Sequence, residues 1–202
     1  MEKEVIILGS SSPRRIQMMK EKGIETVIIK PECNEDIPSS ISMEEAVMLL
    51  SLRKALEVEK VFLERKEKYN NLVNPFIVAA DTVVYYNGII GKPEDKDEAR
   101  RILSMLRGKT HFVATGVSII KAGIPIRRSF CEISEVTFTD YSDNELEAYI
   151  NTDEPYDKAG GYAIQGYFGK YIKEFKGDIN NIIGFPMERF LKEFKYIKKQ
   201  ML

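Results

Sequence analysis

The chain has 202 residues, 44% of them hydrophobic, which is enough for one domain with a sizeable core or for two small lobes sharing a cleft, and too much for a disordered chain. Thirty Lys and Arg stand against 31 Asp and Glu, a net charge of −1, so no global basic field marks a nucleic-acid binder, and an anion site has to be a local concentration of cations. Cys33 and Cys131 lie far apart without metal-ligand spacing, no apolar run is long enough to span a bilayer, and no secretory leader precedes the first apolar run, so a cytoplasmic protein in a reducing compartment is expected.

In chain order, Val5–Leu8 is a β-branched run ending in Gly9 and reads as a buried strand. Ser10, Ser11 and Ser12 lead into Pro13, a helix start, and the helix Arg14 to about Lys22 stops at Gly23. Thr26–Lys30 reads as a second strand and residues 31–40 as a polar loop. Ser42 and Glu45 have capping-box spacing and open a long helix into the charged stretch around Lys60–Lys68. Phe76–Ala80 is an apolar strand closing on Asp81-Thr82. Val83–Tyr86 continues extended, and Asn87-Gly88 signals a hairpin returning through Ile89-Ile90. Asp95–Leu106 is helical, closed by Gly108. His111–Ile120 and Arg127–Thr139 read as two long strands, and Ser142 with Glu145 caps a short helix to Ile150. Residues 153–166 read as a functional loop, Phe168–Phe175 as strand, and Pro186 opens the last helix, to about Tyr196. Strands alternating with helices around a hairpin-rich centre predict an α/β fold with a mixed sheet and flanking helices, organised as one domain over residues 1–202.

Three constellations carry chemistry. Ser10-Ser11-Ser12-Pro13-Arg14-Arg15 occupies a strand-to-helix turn, where unpaired N–H groups and the positive dipole end favour an anion. Arg14 and Arg15 in the first helical turn oppose the dipole unless something negative offsets them, and a polyphosphate would; a capped surface helix with solvated arginines is the other reading. Asp81 follows an apolar strand, where α/β proteins bind ligands, and Glu35 lies in the loop after the second strand. Convergent carboxylates with phosphate oxygens suit Mg²⁺ or Mn²⁺, although a strand-end Asp is also a common cap. Lys54, beside apolar Leu49, Leu50 and Leu52, and Lys92, between Gly91 and Pro93, are candidates for charge neutralisation; most lysines are simply solvated. Residues 153–166 pack Asp153, Glu154, Asp157 and Lys158 with Tyr156, Tyr162, three glycines and Gln165, whose amide offers a donor and an acceptor to a base edge. His111, the single histidine, reads as structural.

These stretches, in this order, resemble the Maf family of nucleotide pyrophosphatases. The matching pieces are Ser10-x-Ser12-Pro13-Arg14-Arg15, Glu35, Lys54-Ala55, Ala80-Asp81-Thr82-Val83, Gly91-Lys92-Pro93, Gly108-Lys109-Thr110-His111 with Thr115-Gly116-Val117, the run from Asp153 to Gly166, and Gly184-Phe185-Pro186. The resemblance implies an elongated α/β fold with two lobes around a deep cleft, similar to inosine-triphosphate pyrophosphatases, and a homodimer. It implies cleavage of a nucleoside triphosphate to the monophosphate and pyrophosphate with a divalent metal. Asp81 matches the general base, Lys54 and Lys92 the charge-neutralising lysines, and Glu35 with Asp81 the metal ligands. Ser10, Ser12, Arg14, Arg15, Thr82 and Gln165 match nucleotide-lining positions. Arg14, Thr82 and Gln165 agree with the branch acting on dTTP and UTP, not with the 7-methyl-GTP branch. A housekeeping role against non-standard pyrimidine nucleotides follows by resemblance. A nucleotide-binding regulator of septum formation and an enzyme for a modified purine triphosphate are the competing expectations; neither nucleic acid nor membrane is expected as a partner.

Overall fold

The structure, a computed structural model, describes residues 5–38 and 40–201. Among the described residues seven strands form one mixed sheet in the order β2-β1-β3-β5-β6-β7, with β4 paired to β3, and the chain divides into two compact units to which β3, β5 and β6 each contribute residues. The mixed α/β architecture expected from the alternating elements is the one observed.

The first unit comprises Met1–Asp81, Gly116–Cys131 and Gly184–Leu202. Its centre is β1 (Ile6–Gly9), wholly buried, flanked by β2 (Thr26–Ile28) and β3 (Phe76–Tyr85) in parallel register, Ile7 against Val27 and Ile77. Helix α1 (Pro13–Glu21) carries the chain from β1 to β2, and α2 (Met43–Glu64) carries it back to β3 on the other side of β1. The chain thus moves from β1 to one side and then crosses to the other, which makes the β1/β3 border a topological switch point. Pro13 at the first helical position and Gly23, at φ 68°, bound α1 as the sequence indicates. Ser42 and Glu45 form the expected capping box on α2. Helix α2 buries a stripe of Ala46, Val47, Leu50, Ser51, Ala55, Val58 and Phe62, of which Ala55, Val58 and Phe62 share a core with Ile7, Ile77, Ala79 and Ile120. At Gly116 of β5 (Thr110–Lys121) the helix comes so close that a Cβ would lie 2.2 Å from the Val47 carbonyl oxygen. The last helix, α6 (Met187–Lys199), follows Pro186, and its Glu193 pairs with Arg128 of β6 (Arg127–Phe138) at 2.8 Å.

The second unit comprises Thr82–Thr115 and Glu132–Ile183. Here β3 turns through Asn87, at φ 54°, into β4 (Ile89–Ile90). Helices α3 (Lys96–Leu106) and α4 (Asp143–Ile150) each begin at a side-chain cap, Asp95 and Ser142. Their apolar faces join Val84, Phe138, Tyr162 and Phe168 in one core. His111 is fully buried there, with Phe138 at 4.9 Å, and its Nε2 lies 2.6 Å from the Tyr162 hydroxyl. Burial pushes His111 down to about 4, and the Lys109 backbone offsets only part of the effect. The imidazole is therefore neutral at pH 7 and hydrogen-bonded to the Tyr162 hydroxyl, the structural role expected for it.

Several boundaries differ from the sequence reading. β2 ends at Ile28, not Lys30, although the Ile29 N–H still reaches the Leu8 carbonyl. The stretch read as strand from Phe168 opens as a 3-10 turn over Tyr167–Tyr171 before β7 (Ile172–Lys176), because the Gly169 N–H turns back to Gly166. A short helix, α5 (Ile179–Ile183), has no local signal strong enough to be read. Asp81 does not end a strand: β3 is continuous through it, and its parallel partner β1 stops earlier, at the Gly9–Ala79 pair.

Two outcomes follow from this packing. Gly116→Ala is expected to lower stability by about 3 kcal/mol, because the obstacle is helix backbone that cannot swing aside; its urea midpoint should fall with an unchanged slope. The folded-state pKa of His111 lies below the ordinary 6.5, so the unfolded chain takes up the proton first as pH drops. The stability contributed by the neutral imidazole is whole above pH 6.5 and is lost towards pH 4, about 2 kcal/mol of it by pH 5. Urea midpoints measured from pH 7.5 to 5 should fall less steeply for His111→Gln, which can still hydrogen-bond the tyrosine hydroxyl but does not titrate.

Candidate active site

Lys54 is the residue through which the first unit's polar groups converge. It lies on α2 four residues after Leu50 and four before Val58, that is, on the buried stripe, and its side chain is only 13% exposed. Gly9 lets that helix approach: a Cβ there would lie 3.0 Å from Val58 Cγ2 and 3.2 Å from Ala79 Cβ. The ammonium meets Asp81 Oδ1 at 2.5 Å and Glu35 Oε1 at 2.6 Å. Asp81 comes from β3 where that strand outruns β1, and Glu35 from the loop after β2. Burial works against the Lys54 charge, and the two carboxylates outweigh it, so its pKa lies above the ordinary lysine value. The group is a fixed cation, unsuited to act as a base.

Arg15 builds the adjoining wall. Its Nε donates to the Gly184 carbonyl at 2.9 Å, and its Nη1 to the Ala80 carbonyl at 2.7 Å and to Ser10 Oγ at 3.4 Å. Burial lowers its pKa, and Asp81 opposes that shift, more strongly than Arg14 reinforces it. Part of the negative potential that two arginines in a first helical turn require thus comes from the protein's own carbonyl oxygens. Ser10, buried, also accepts the Ser12 N–H at 3.2 Å. Ser12 is the N-cap residue of α1, yet its side chain makes no capping hydrogen bond, and no acid occupies the first turn. Arg14, in that turn, is half-buried. The helix start therefore presents N–H donors and positive potential.

Ser10, Arg15, Glu35, Lys54 and Asp81 are thus gathered in the first unit. Thr82, Lys92 and Gln165 belong to the second. Thr82 Oγ1 lies 2.9 Å from Thr115 Oγ1, which in turn donates to the Asn181 carbonyl at 3.1 Å. Asn181, fully buried, uses its amide nitrogen on the Val113 carbonyl and Ser134 Oγ. Lys92 is exposed, on a segment fixed by the Gly160 N–H donating to the Gly91 carbonyl at 2.8 Å. Gln165 is exposed in the segment that follows. Sequence reasoning missed the Thr115–Asn181 support, since a threonine in a strand and an asparagine in Asp178-Ile179-Asn180-Asn181 carry no local sign of it.

The family described as Maf-like protein matches residues 5–197. Relatives named dTTP/UTP pyrophosphatase include one from Agathobacter rectalis, 42% identical over 197 residues, covering 94% of this chain and 96% of that protein. Another, from Caldicellulosiruptor bescii, is 42% identical over 187 residues, covering 91% and 90%, and one from Halalkalibacterium halodurans is 38% identical over 191 residues, covering 94% of each. Among solved structures, the Staphylococcus aureus Ham1 protein is similar at 14% identity with a TM-score of 0.46, covering 84% of this chain and 80% of that one.

The convergence on Lys54 has a thermodynamic signature. Lys54→Met leaves the Asp81 and Glu35 carboxylates facing each other and should cost about 2 kcal/mol, while Asp81→Asn in the Lys54→Met background should restore part of it. Unfolding free energies of the two singles and the double measure the coupling, and strict additivity would contradict it.

Proposed function

Because the chain belongs to the Maf family, we infer that it is a dTTP/UTP pyrophosphatase, which hydrolyses the bond between the α and β phosphates to give the nucleoside monophosphate and pyrophosphate. The observation that carries this reading is the Lys54 ammonium between Asp81 and Glu35, next to an arginine-rich helix start at the β1/β3 switch point. Such a site binds a polyanion and has a carboxylate beside it to handle a water proton.

In the proposed reaction Asp81 takes a proton from a water whose oxygen attacks the α-phosphorus. The α-phosphorus to bridging-oxygen bond breaks, and pyrophosphate leaves. Lys54 fixes one oxygen of the Asp81 carboxylate and, with Lys92, neutralises charge that grows on the phosphate oxygens. Ser10, Ser12 and the α1 N–H groups bind the phosphate tail. Arg15, held by the Ala80 and Gly184 carbonyls, fixes the backbone beside Asp81 and contributes positive potential. Arg14, Thr82 and Gln165 recognise the pyrimidine.

The donor set also suits a divalent cation. Two carboxylates already close around one cationic nitrogen, and hard oxygen ligands fit Mg²⁺ or Mn²⁺. Among the described residues no cluster of three or more His, Cys, Asp or Glu could hold a metal by itself, so Glu35 and Asp81 would share the ion with triphosphate oxygens and water. When bound, the metal draws charge from the phosphate oxygens. A cytoplasmic setting suits two cysteines not joined by a disulfide and a chain in which, among the described residues, no helix is long and apolar enough to cross a membrane.

A panel of nucleoside triphosphates, read by separate pyrophosphate and orthophosphate assays, tests the reading: pyrophosphate should come fastest from dTTP and UTP. Nucleotide binding without release would favour a regulator, and orthophosphate would mean γ-phosphate cleavage. Asp81→Asn should lower kcat about 1,000-fold with dTTP affinity changed little, and a near-normal rate would remove Asp81 as base.

A further inference from the structure

Residues 154–167 fold back on themselves around one carboxylate. The Tyr167 N–H lies 3.1 Å from Glu154 Oε1 and 3.3 Å from Oε2, and the Tyr149 hydroxyl donates to Oε1 at 3.5 Å. Burial, reinforced by Glu154 itself, holds the Tyr149 hydroxyl in its protonated, donating form. Tyr149 also stacks on Phe168 at 4.5 Å, so the carboxylate is anchored to the core on one side and to the far end of the loop on the other. Lys158 Nζ donates to the Glu154 carbonyl at 2.5 Å, which fixes the residue's backbone as well.

Gly166 reports the same arrangement independently. Its φ of −97° and ψ of −174° are open to any residue, so its backbone conformation does not require glycine. What a side chain would meet is Glu154: an added Cβ would lie 1.8 Å from Oε1, whereas the next obstacle outside Glu154, Ala163 Cβ, stands at an ordinary 3.5 Å. Gly166 is there to leave room for the carboxylate, and Gln165 is the residue immediately before it.

We propose that Glu154 is a positioning residue for substrate recognition: its carboxylate clasps the Tyr167 N–H across the loop, and Gly166 is its receiving notch, so that Gln165 is presented to the pyrimidine in one orientation. The proposal rests on the reading of Gln165 as a base-recognising residue. Glu154 touches neither substrate nor reacting atoms. It removes conformational freedom from the loop before binding, which appears in KM and in discrimination between bases and leaves the chemical step alone.

The pair predicts an unusual pattern. A methyl group at position 166 meets the far end of a flexible side chain, so Gly166→Ala should fold and simply evict the carboxylate. Steady-state kinetics with dTTP on the full chain should show Glu154→Ala raising KM about tenfold with kcat within about twofold. Gly166→Ala should reproduce that change, and the double variant should be no worse than either single. Glu154→Gln, whose amide oxygen still accepts the Tyr167 N–H, should stay within about threefold of the parent. In a Gln165→Ala background, Glu154→Ala should add nothing. Additive effects of Glu154→Ala and Gly166→Ala, or a Glu154→Ala effect that persists without Gln165, would overturn the proposal. A Gln165→Ala variant with unchanged KM would instead overturn the base-recognition reading beneath it. A raised KM in Gln165→Ala beside an unchanged one in Glu154→Ala would leave that reading standing and remove the clasp.

Discussion

A lysine on the buried face of a helix must find anions or lose its charge, and the Lys54 ammonium finds two. Asp81 and Glu35 belong to segments far apart in sequence, and one cation holds both. Much of the first unit can be read as the means of placing that cation. Gly9 and Gly116 allow α2 to lie against β1 and β5, the buried stripe sets its rotation, and the capping box starts it at Ser42. The energetic weight of the cluster lies in mutual dependence: each carboxylate offsets the desolvation of the ammonium, and the ammonium screens the two acids from each other.

How much of this was legible in the sequence depended on how local the determining interaction is. The two capping boxes were visible because Ser and Glu three residues apart satisfy each other's backbone partners without outside help. Lys54 stood out as a candidate because apolar Leu49, Leu50 and Leu52 precede it and Ala55 follows it. The continuity of β3 was not visible: Asp81-Thr82 looks like the close of an apolar strand, and Val83–Tyr86, read as extended and leading into the hairpin with β4, belongs to the same strand. Arg15 shows the same limit. Its partners are carbonyl oxygens, which every residue possesses, so no side-chain signature could point to Ala80 or Gly184. Glu154 and Gly166 were both visible as members of an unusual run, but nothing in the run shows that they meet.

The two units achieve rigidity by different means. The first relies on parallel strands and a long helix whose contacts are mostly aliphatic. The second interlocks aromatic rings, with Phe138 contacting Tyr162 at 4.7 Å and Tyr141 contacting Phe168 at 4.7 Å, both near-perpendicular. Rings set edge to face tolerate little rotation, and the segment bearing Gln165 is rooted among them at Tyr162 and Phe168. An exposed side chain such as that of Gln165 can be held in place this way without being buried itself.

The bond from Arg15 to the Gly184 carbonyl spans 169 residues of sequence. During synthesis α1 emerges carrying a guanidinium whose acceptor is made 169 residues later. No shorter fragment can complete that hydrogen bond, so this wall of the first unit is finished only by a long-range closure. A chain interrupted before Gly184 would retain β1, α1, α2 and Asp81 and would leave Arg15 short of one of its carbonyl partners.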